Sequence, residues 1–371
     1  MFRVRCSTAA VCLLSVLFLW GCEGGGDGDQ ALDISTGDIQ SPVDARLVHG
    51  TLFVVRAVVN GTVELDMLVD TGASKTWVPA DIFGNSGGTV PINSLCLEND
   101  VCFYNFTAQS SDSGFTQSRQ GYFNGIIGMD LLENFDLTLD YRGEAIYFCD
   151  CLEKDFSDPV VIPIEYQSNR PFSSVSIESM PQEAATLLDT GAAYTRITAP
   201  MLDALSQNPE VLFKSVVFGF DASEIAVYMP IKRYCVGTAC PDEVIVQIGS
   251  WPAVGGTFFR EYLTVFRFSE NAVKLDRYPD RNHIRESGLQ RVGLQVNIKD
   301  ATEIVYVVEG SFAWQTGLSA GDEMISINGI PVSSLGYFGI YDLLSDTAID
   351  AYQLIVHTPT GDVENISMSI D

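Results

Sequence analysis

Residues 67–77 read MLVDTGASKTW and residues 187–197 read LLDTGAAYTRI, and the fold turns on how these two stretches relate. In each, an apolar run ends in the same triplet, Asp70-Thr71-Gly72 in the first and Asp189-Thr190-Gly191 in the second. One such triplet is weak evidence, because Asp and Gly are ordinary turn residues. Two of them, each fed by an apolar strand, drive a carboxylate inward at a strand end, where an unpaired charge is costly. If the two halves pack about a pseudo-dyad, each acid meets the other.

Reading outward supports a duplication. The first triplet is followed by NGIIGMDLLENFDLTLDYRGEAIYF at 124–148, the second by AVGGTFFREYLTVFRFSENAVKL at 253–275. Both halves run in one order: an apolar strand into Asp-Thr-Gly, a β segment, an apolar pair with Gly, a short helical turn and a strand pair. Elsewhere the pattern is short apolar or alternating runs broken by Gly, Asn and Pro, with Asn60-Gly61 as a hairpin signal and one helix expected near 199–207. The fold class expected is therefore mainly β. The Gly- and Asp-rich stretch 23–45 lacks the apolar residues to support a core and reads as a linker. Two β lobes are expected at 46–155 and 156–280. After the polar connector PDRNHIRES a further domain is expected over 281–371, with a helix around Tyr337 to Leu344.

The chain has 371 residues and a net charge of -27. No Lys/Arg-rich run offers the cationic footprint that phosphate backbones need, so nucleic acid is excluded as a partner. Arg3 and Arg5 precede an apolar stretch from Ala9 to Trp20, too short to span a bilayer and suited to a signal peptide over 1–22. Leu19-Trp20-Gly21-Cys22 resembles a bacterial lipobox, which implies lipidation of Cys22. Ordinary signal cleavage competes with that reading because of the bulky Trp20. An exported lipoprotein on the periplasmic face of a bacterial outer membrane is expected, touching the membrane through its lipid alone. Of the nine cysteines, Cys6, Cys12 and Cys22 belong to this leader. The remaining six, Cys96, Cys102, Cys149, Cys151, Cys235 and Cys240, suggest disulfides in an oxidising compartment. Cys96 with Cys102, and Cys235 with Cys240, would close short loops at comparable places in the two halves. A Cys149–Cys151 bond would join close neighbours, and six cysteines leave other pairings open.

Two carboxylates in contact cannot both ionise readily, so they hold one proton between them and titrate as a pair. Such a pair can take a proton from a bound water and hydrogen-bond a carbonyl oxygen, which amide hydrolysis needs, without a metal or cofactor. None is expected. Thr71 and Thr190 could hydrogen-bond across the interface, and Gly72 and Gly191 permit close approach and place amide donors beside the acids. His49, His283 and His357 lie on separate segments and support neither a zinc site nor a Ser-His pair. Gly317-Leu318-Ser319-Ala320-Gly321 matches a nucleophile elbow in letters, but a turn precedes it and a strand follows, the reverse of what an elbow needs. Asp66, Asp130, Asp136 and Asp140 read as surface or turn carboxylates.

On these residues, residues 46–280 resemble the pepsin-type, two-lobed aspartic peptidases, with kinship to the half-sized retroviral enzymes. DTGASKTWVP resembles the first active-site strand and turn of that family. GIIGMDLL and GGTFFREYLTVFRFSENAVKL resemble its later apolar-apolar-Gly elements. The resemblance implies catalytic roles for Asp70 and Asp189, a six-stranded base between lobes, a β-hairpin flap over the cleft, and endopeptidase action on peptides or proteins. Tyr104 is the candidate flap tyrosine, with a core aromatic as the alternative. Ala73 and Ala192 stand where pepsin-like enzymes usually place Ser or Thr. Loss of a hydroxyl donor to a carboxylate leaves the shared proton in place to higher pH, so an optimum less acidic than pepsin's is expected.

GLSAGDEMISINGIPV, at 317–332, resembles PDZ domains of bacterial periplasmic proteases. That resemblance implies that Arg291, Val292, Gly293 and Leu294 form a loop that binds the C-terminal carboxylate of a peptide ligand. A domain that only packs on the lobes or gates them is the alternative. A monomer is expected. The competing function is a noncatalytic periplasmic peptide-binding protein that uses the same cleft and the same third domain.

Overall fold

At Asn60 and Gly61 the backbone enters the left-handed region, with φ of 51° and 73°. Thr62 N donates to Val59 O across the turn at 3.2 Å. This turn, with Thr62 completing a three-residue connection, suits the twist of the strands it joins, Leu52–Val59 and Val63–Val69. The second strand carries a buried Leu65, Met67, Leu68 and Val69 straight into the first Asp-Thr-Gly turn. In a computed structural model of the chain, the described residues are 32–370 without 86, 112–122, 153–155, 178–183, 206–208, 219–222, 285, 287 and 298–300. The leader and its Cys22 lie outside the described residues.

The protein is mainly β. One sheet surrounds Asp70: Val63–Val69 pairs in parallel with Gly125–Ile127, which runs antiparallel to Trp77–Pro79. Trp77–Pro79 in turn pairs in parallel with Cys102–Ser111. The second sheet repeats this around Asp189. Ala184–Leu188 pairs in parallel with Ala253–Val254, which runs antiparallel to Thr195–Ile197. That strand pairs in parallel with Glu243–Ile248. The duplication in the sequence is thus a duplication of pairing pattern.

Between the halves the strands run in the order Val43–Val48, Ala145–Tyr147, Asp136–Asp140, Tyr262–Arg267, Ala272–Arg277, Val160–Pro163, three from each half. The seam is antiparallel, with Leu139 opposite Thr264 and Leu137 opposite Phe266. Leu137, Leu139, Phe266 and Val273 are fully buried there within one core shared by both halves. Sharing a core this way makes the two halves fold as one unit, because neither can withdraw without exposing its apolar face. The folded part begins earlier than expected. Asp33–Ser35 pairs with Cys102–Ser111, and Leu32, Ile34 and Ile39 pack on the core, so the end of the supposed linker is strand.

Cysteines 96 and 102, 149 and 151, and 235 and 240 are paired. The first and third close corresponding connections in the two halves: Cys96–Cys102 joins Thr89–Leu97 to Cys102–Ser111, and Cys235–Cys240 lies between Ser223–Lys232 and Glu243–Ile248.

The C-terminal segment has its own core of Val292, Leu318, Met324, Ile327, Ile340, Tyr352 and neighbours. Its strands form a pair, Leu294–Val296 with Ile304–Val307, and a four-stranded sheet of Ile330–Pro331, Glu323–Ile327, Ala351–His357 and Val363–Ser369. The helix Val332–Ser345 is interrupted at Gly336, φ 61°, so the expected start near Tyr337 marks the second of two helical pieces. The helix expected over 199–207 is shorter, Ala199–Asp203. No helix among the described residues is long and apolar enough to cross a membrane.

Candidate functional site

The two Asp-Thr-Gly turns are locked to each other by their threonines. Thr71 Oγ1 donates to Leu188 O at 2.6 Å and accepts from Thr190 N at 3.1 Å. Thr190 Oγ1 donates to Val69 O at 2.8 Å and accepts from Thr71 N at 3.0 Å. Both hydroxyls are buried and each donates and accepts, which is why a hydroxyl is needed at each position.

This lock brings the acids together. A Cβ placed on Gly191 would collide with the Asp70 carboxylate, and one on Gly72 would collide with the Asp189 carboxylate. Each acid therefore rests against the glycine of the opposite turn, a contact only a residue without a side chain allows. Each acid is also oriented by its own turn. Asp70 Oδ1 accepts from Gly72 N at 2.7 Å and Ala73 N at 3.1 Å, and Asp189 Oδ1 accepts from Gly191 N at 3.1 Å. The supporting backbone repeats as well: Asp70 N donates to Ile127 O at 3.0 Å, and Asp189 N to Val254 O at 2.9 Å.

Behind the acids, Thr76 and Thr195 play matching parts. Thr76 Oγ1 accepts from Gly128 N at 3.1 Å, and Thr195 Oγ1 accepts from Gly255 N at 3.1 Å. Their partners differ. Thr76 donates from both N and Oγ1 to Asp130 Oδ1, at 2.9 and 2.8 Å, whereas Thr195 N donates to Thr257 Oγ1 at 2.9 Å. Asp130, read from the sequence as a surface or turn carboxylate, thus also anchors Thr76. Burial raises its carboxyl above the usual range, and the Thr76 hydrogen bonds pull the other way. Asp136 pairs with Arg267 at 3.4 Å at the seam, Asp140 accepts from the Tyr278 hydroxyl at 2.9 Å, and Asp66 lies 3.5 Å from Arg46.

Sequence reading overlooked Arg196. It occupies the position in the second half that Trp77 holds in the first, with Gln247 and Ala253 across the strand where Trp77 has Gln109 and Ile126. Its guanidinium lies 3.1 Å from Asp189 Oδ2 and 3.5 Å over the ring of Trp251. Asp189 is only 5 % exposed beneath it. Burial lowers the pKa of the guanidinium, while Asp189 first and then Asp70 raise it, so its field reaches both acids. The signal was present: aligning the two duplicated stretches sets a cation against an indole.

Tyr104 is not brought to this site. It sits on Cys102–Ser111 in register with Asp33 and Ser94, and the strand meets Trp77 five residues further on, at Gln109. Five residues of strand are about 17 Å. The C-terminal segment packs on residues that follow the two triplets. Tyr337 and Phe338 pack on a cluster with Ala73, Trp77, Ala193, Phe123 and Leu52. Tyr341 meets His49 edge-on, ring centroids 5.5 Å apart. Leu289 and Val308 pack on Phe213 and Tyr228, and Ser215 donates to Gln295 at 3.0 Å.

The Arg291–Leu294 loop is committed internally. Val292 N donates to Gly288 O at 2.9 Å, and Gly293 N donates to Leu289 O at 3.1 Å. Arg291 reaches the Tyr352 hydroxyl at 2.6 Å and the Leu344 and Ile349 carbonyls, tying down the end of the long helix. His283 meets Arg260 O at 2.8 Å, and His357 lies near Glu323 at 4.0 Å. Among the described residues no group of His, Cys, Asp and Glu could hold a metal ion. No protein-family model and no curated protein matches the chain.

Proposed function

We propose that this protein is an aspartic endopeptidase with a two-lobed, pepsin-like body and a C-terminal PDZ-like module. One observation carries the reading: Gly72 lies against Asp189 and Gly191 against Asp70, with the threonine exchange holding both turns. Two carboxylates brought this close ionise in sequence, so over a range of pH one is a base and the other an acid. The base takes a proton from a water held between them, and that water attacks the peptide carbonyl carbon. The acid hydrogen-bonds the carbonyl oxygen as charge builds on it, then passes its proton on as the tetrahedral intermediate collapses to free amine and carboxylic acid. Proton transfer by positioned groups is worth roughly two to four orders of magnitude in rate. The six strands shared between the halves and the repeated pairing around each acid support the fold half of the reading.

The module is best read as a gate. The amides of Val292 and Gly293 are already spent on the preceding helical turn, which counts against capture of a C-terminal carboxylate. Tyr337 and Phe338, by contrast, stand in the cluster that contains Ala73, next after the first triplet, and Ala193, two residues after the second.

Digestion of an unfolded protein, read by mass spectrometry with and without a statine-type transition-state mimic, tests the function. Cleavage blocked by the mimic and abolished in folded Asp70→Asn and Asp189→Asn variants is expected. Folded protein that cuts nothing between about pH 3 and about pH 8 would leave the noncatalytic peptide-binding reading in its place.

A further inference from the structure

We infer that a cavity at the junction of the second half and the C-terminal segment binds a small apolar cation, an aryl- or alkylammonium. The cavity has a volume of about 340 Å3, at the lower end of the range for small-molecule sites. Its apolar lining comes from both sides: Leu212, Phe213 and Ile245 from the second half, Leu289, Val308 and Phe312 from the C-terminal segment. Phe213 is held in place by stacking on Tyr228, ring centroids 4.5 Å apart. Leu212 is 49 % exposed, an apolar surface that an occupant would cover. Among the described residues, none from Leu294–Val296 or Val332–Ser345 lines the cavity. It is thus distinct from the strand edge beside which a PDZ-type peptide ligand would lie.

Charge selects the ligand. Two exposed glutamates, Glu286 and Glu309, line the cavity, and neither enters an ion pair or a side-chain hydrogen bond among the described residues. Arg291 also lines it, but sends its guanidinium to the Tyr352 hydroxyl and to the Leu344 and Ile349 carbonyls. Ser311 and Gln315 are engaged within their own loop: Ser311 Oγ accepts from Trp314 N at 3.2 Å, and Gln315 Nε2 donates to Gly310 O at 3.1 Å. Two carboxylates beside an apolar lining suit a ligand with an apolar body and one positive end, and they repel a carboxylate. Because the walls belong to two parts of the chain, an occupant touching both holds the C-terminal segment docked.

The test uses phenylpropylamine, phenylpropanol and phenylpropionate, which share one body and differ in charge. Each is titrated into the full chain carrying 13C in its Ile, Leu and Val methyls, as wild type, as Glu309→Gln and as the double variant Glu286→Gln with Glu309→Gln. Both changes fall on exposed side chains, so the fold is kept. The amine should bind with a Kd of about 1 mM or tighter and move the methyl signals of Leu212, Ile245, Leu289 and Val308. The alcohol should bind at least about threefold more weakly, and the carboxylate more than about tenfold more weakly. Glu309→Gln should weaken the amine about threefold, and the double variant should bind amine and alcohol equally to within about twofold. Hydrogen exchange over 304–315 should slow when the amine is bound. Equal binding of the three probes to wild type would overturn the inference, as would methyl signals at those four positions that stay put in about 10 mM amine. So would a preference for the amine that survives in the double variant, which would trace it to the overall charge of -27 rather than to the two glutamates.

Discussion

Phe338, on the long C-terminal helix, lies under the guanidinium of Arg46, whose central carbon is 3.7 Å from the ring centroid. Arg46 belongs to Val43–Val48, a strand of the sheet shared by both halves, so this contact ties the module to the β body. A half-exposed cation–π contact of this kind contributes about 0.5–1 kcal/mol, and the apolar packing of Tyr337 and Phe338 adds more. The double change Tyr337→Ala and Phe338→Ala should release the helix without unfolding the body, whose core is separate. Faster hydrogen exchange over 332–345 and several-fold faster cleavage of unfolded protein substrates are expected. Unchanged exchange would show that the packing does not hold the helix down.

The threonine exchange predicts an asymmetry between conservative substitutions. Thr71→Val keeps the shape but leaves Thr190 N without its acceptor and Leu188 O without its donor, where both threonines are buried. Each unsatisfied buried group costs about 1–3 kcal/mol, so a loss of roughly 2–5 kcal/mol in unfolding free energy is expected, with activity falling alongside. Thr71→Ser keeps the hydroxyl and should lose less than about 1 kcal/mol. Urea denaturation of the two variants checks this. Equal losses would mean that the methyl contact, not the hydrogen bonds, matters at this position.

Most of this arrangement was legible in the sequence because it depends on residues whose chemistry is local. An apolar run ending in Asp-Thr-Gly announces a strand and a turn, and the second copy announces the pairing of halves. Asn60-Gly61 could be read as a turn because few other dipeptides tolerate two positive φ values. Arg196 was not legible in the same way. Its meaning comes from Asp189 seven residues away and Trp251 on another loop, and only the folded sheet brings those together. The Arg291–Leu294 loop was not legible either, since its letters do not show that the Val292 and Gly293 amides turn onto Gly288 and Leu289. Strand Asp33–Ser35 was hidden by a polar sequence at a sheet edge, where pairing with Cys102–Ser111 supplies what composition does not.

Glycine at 72 and at 191 is demanded by contact with the facing acid rather than by backbone conformation. Neither residue has the positive φ that would independently exclude a side chain. Gly191→Ala should therefore leave secondary structure intact yet push Asp70 away, and Gly72→Ala should do the same to Asp189. Displacement of a catalytic group by about 1 Å can cost on the order of 100-fold in rate. Circular dichroism close to wild type with kcat/KM reduced about 100-fold or more is the expected outcome. Full activity in either variant would contradict the close approach of the two turns.

His49 links acid pH to the docking of the C-terminal helix. Its ring meets Tyr341 edge-on, and burial lowers its pKa from 6.5 to about 4. Above pH 6.5 both folded and unfolded chains carry it neutral, and stability does not depend on it. Between 6.5 and about 4 the unfolded chain takes up a proton that the folded chain refuses, so stability falls as pH falls. Below about 4 both states are protonated and the slope ends. The accumulated loss is at most about 3–4 kcal/mol, since one pKa unit corresponds to about 1.4 kcal/mol. His49→Asn removes the titration while suiting the backbone, because φ at this position is 56° and Asn tolerates the left-handed region. Subtracting the variant's stability from that of wild type at each pH isolates the histidine from the many carboxylates that also titrate. The difference should drop steadily from pH 6.5 to about pH 4, with hydrogen exchange over 337–345 rising in wild type over the same interval. A difference that stays flat over this interval would mean that His49 accepts its proton in the folded protein as easily as in water.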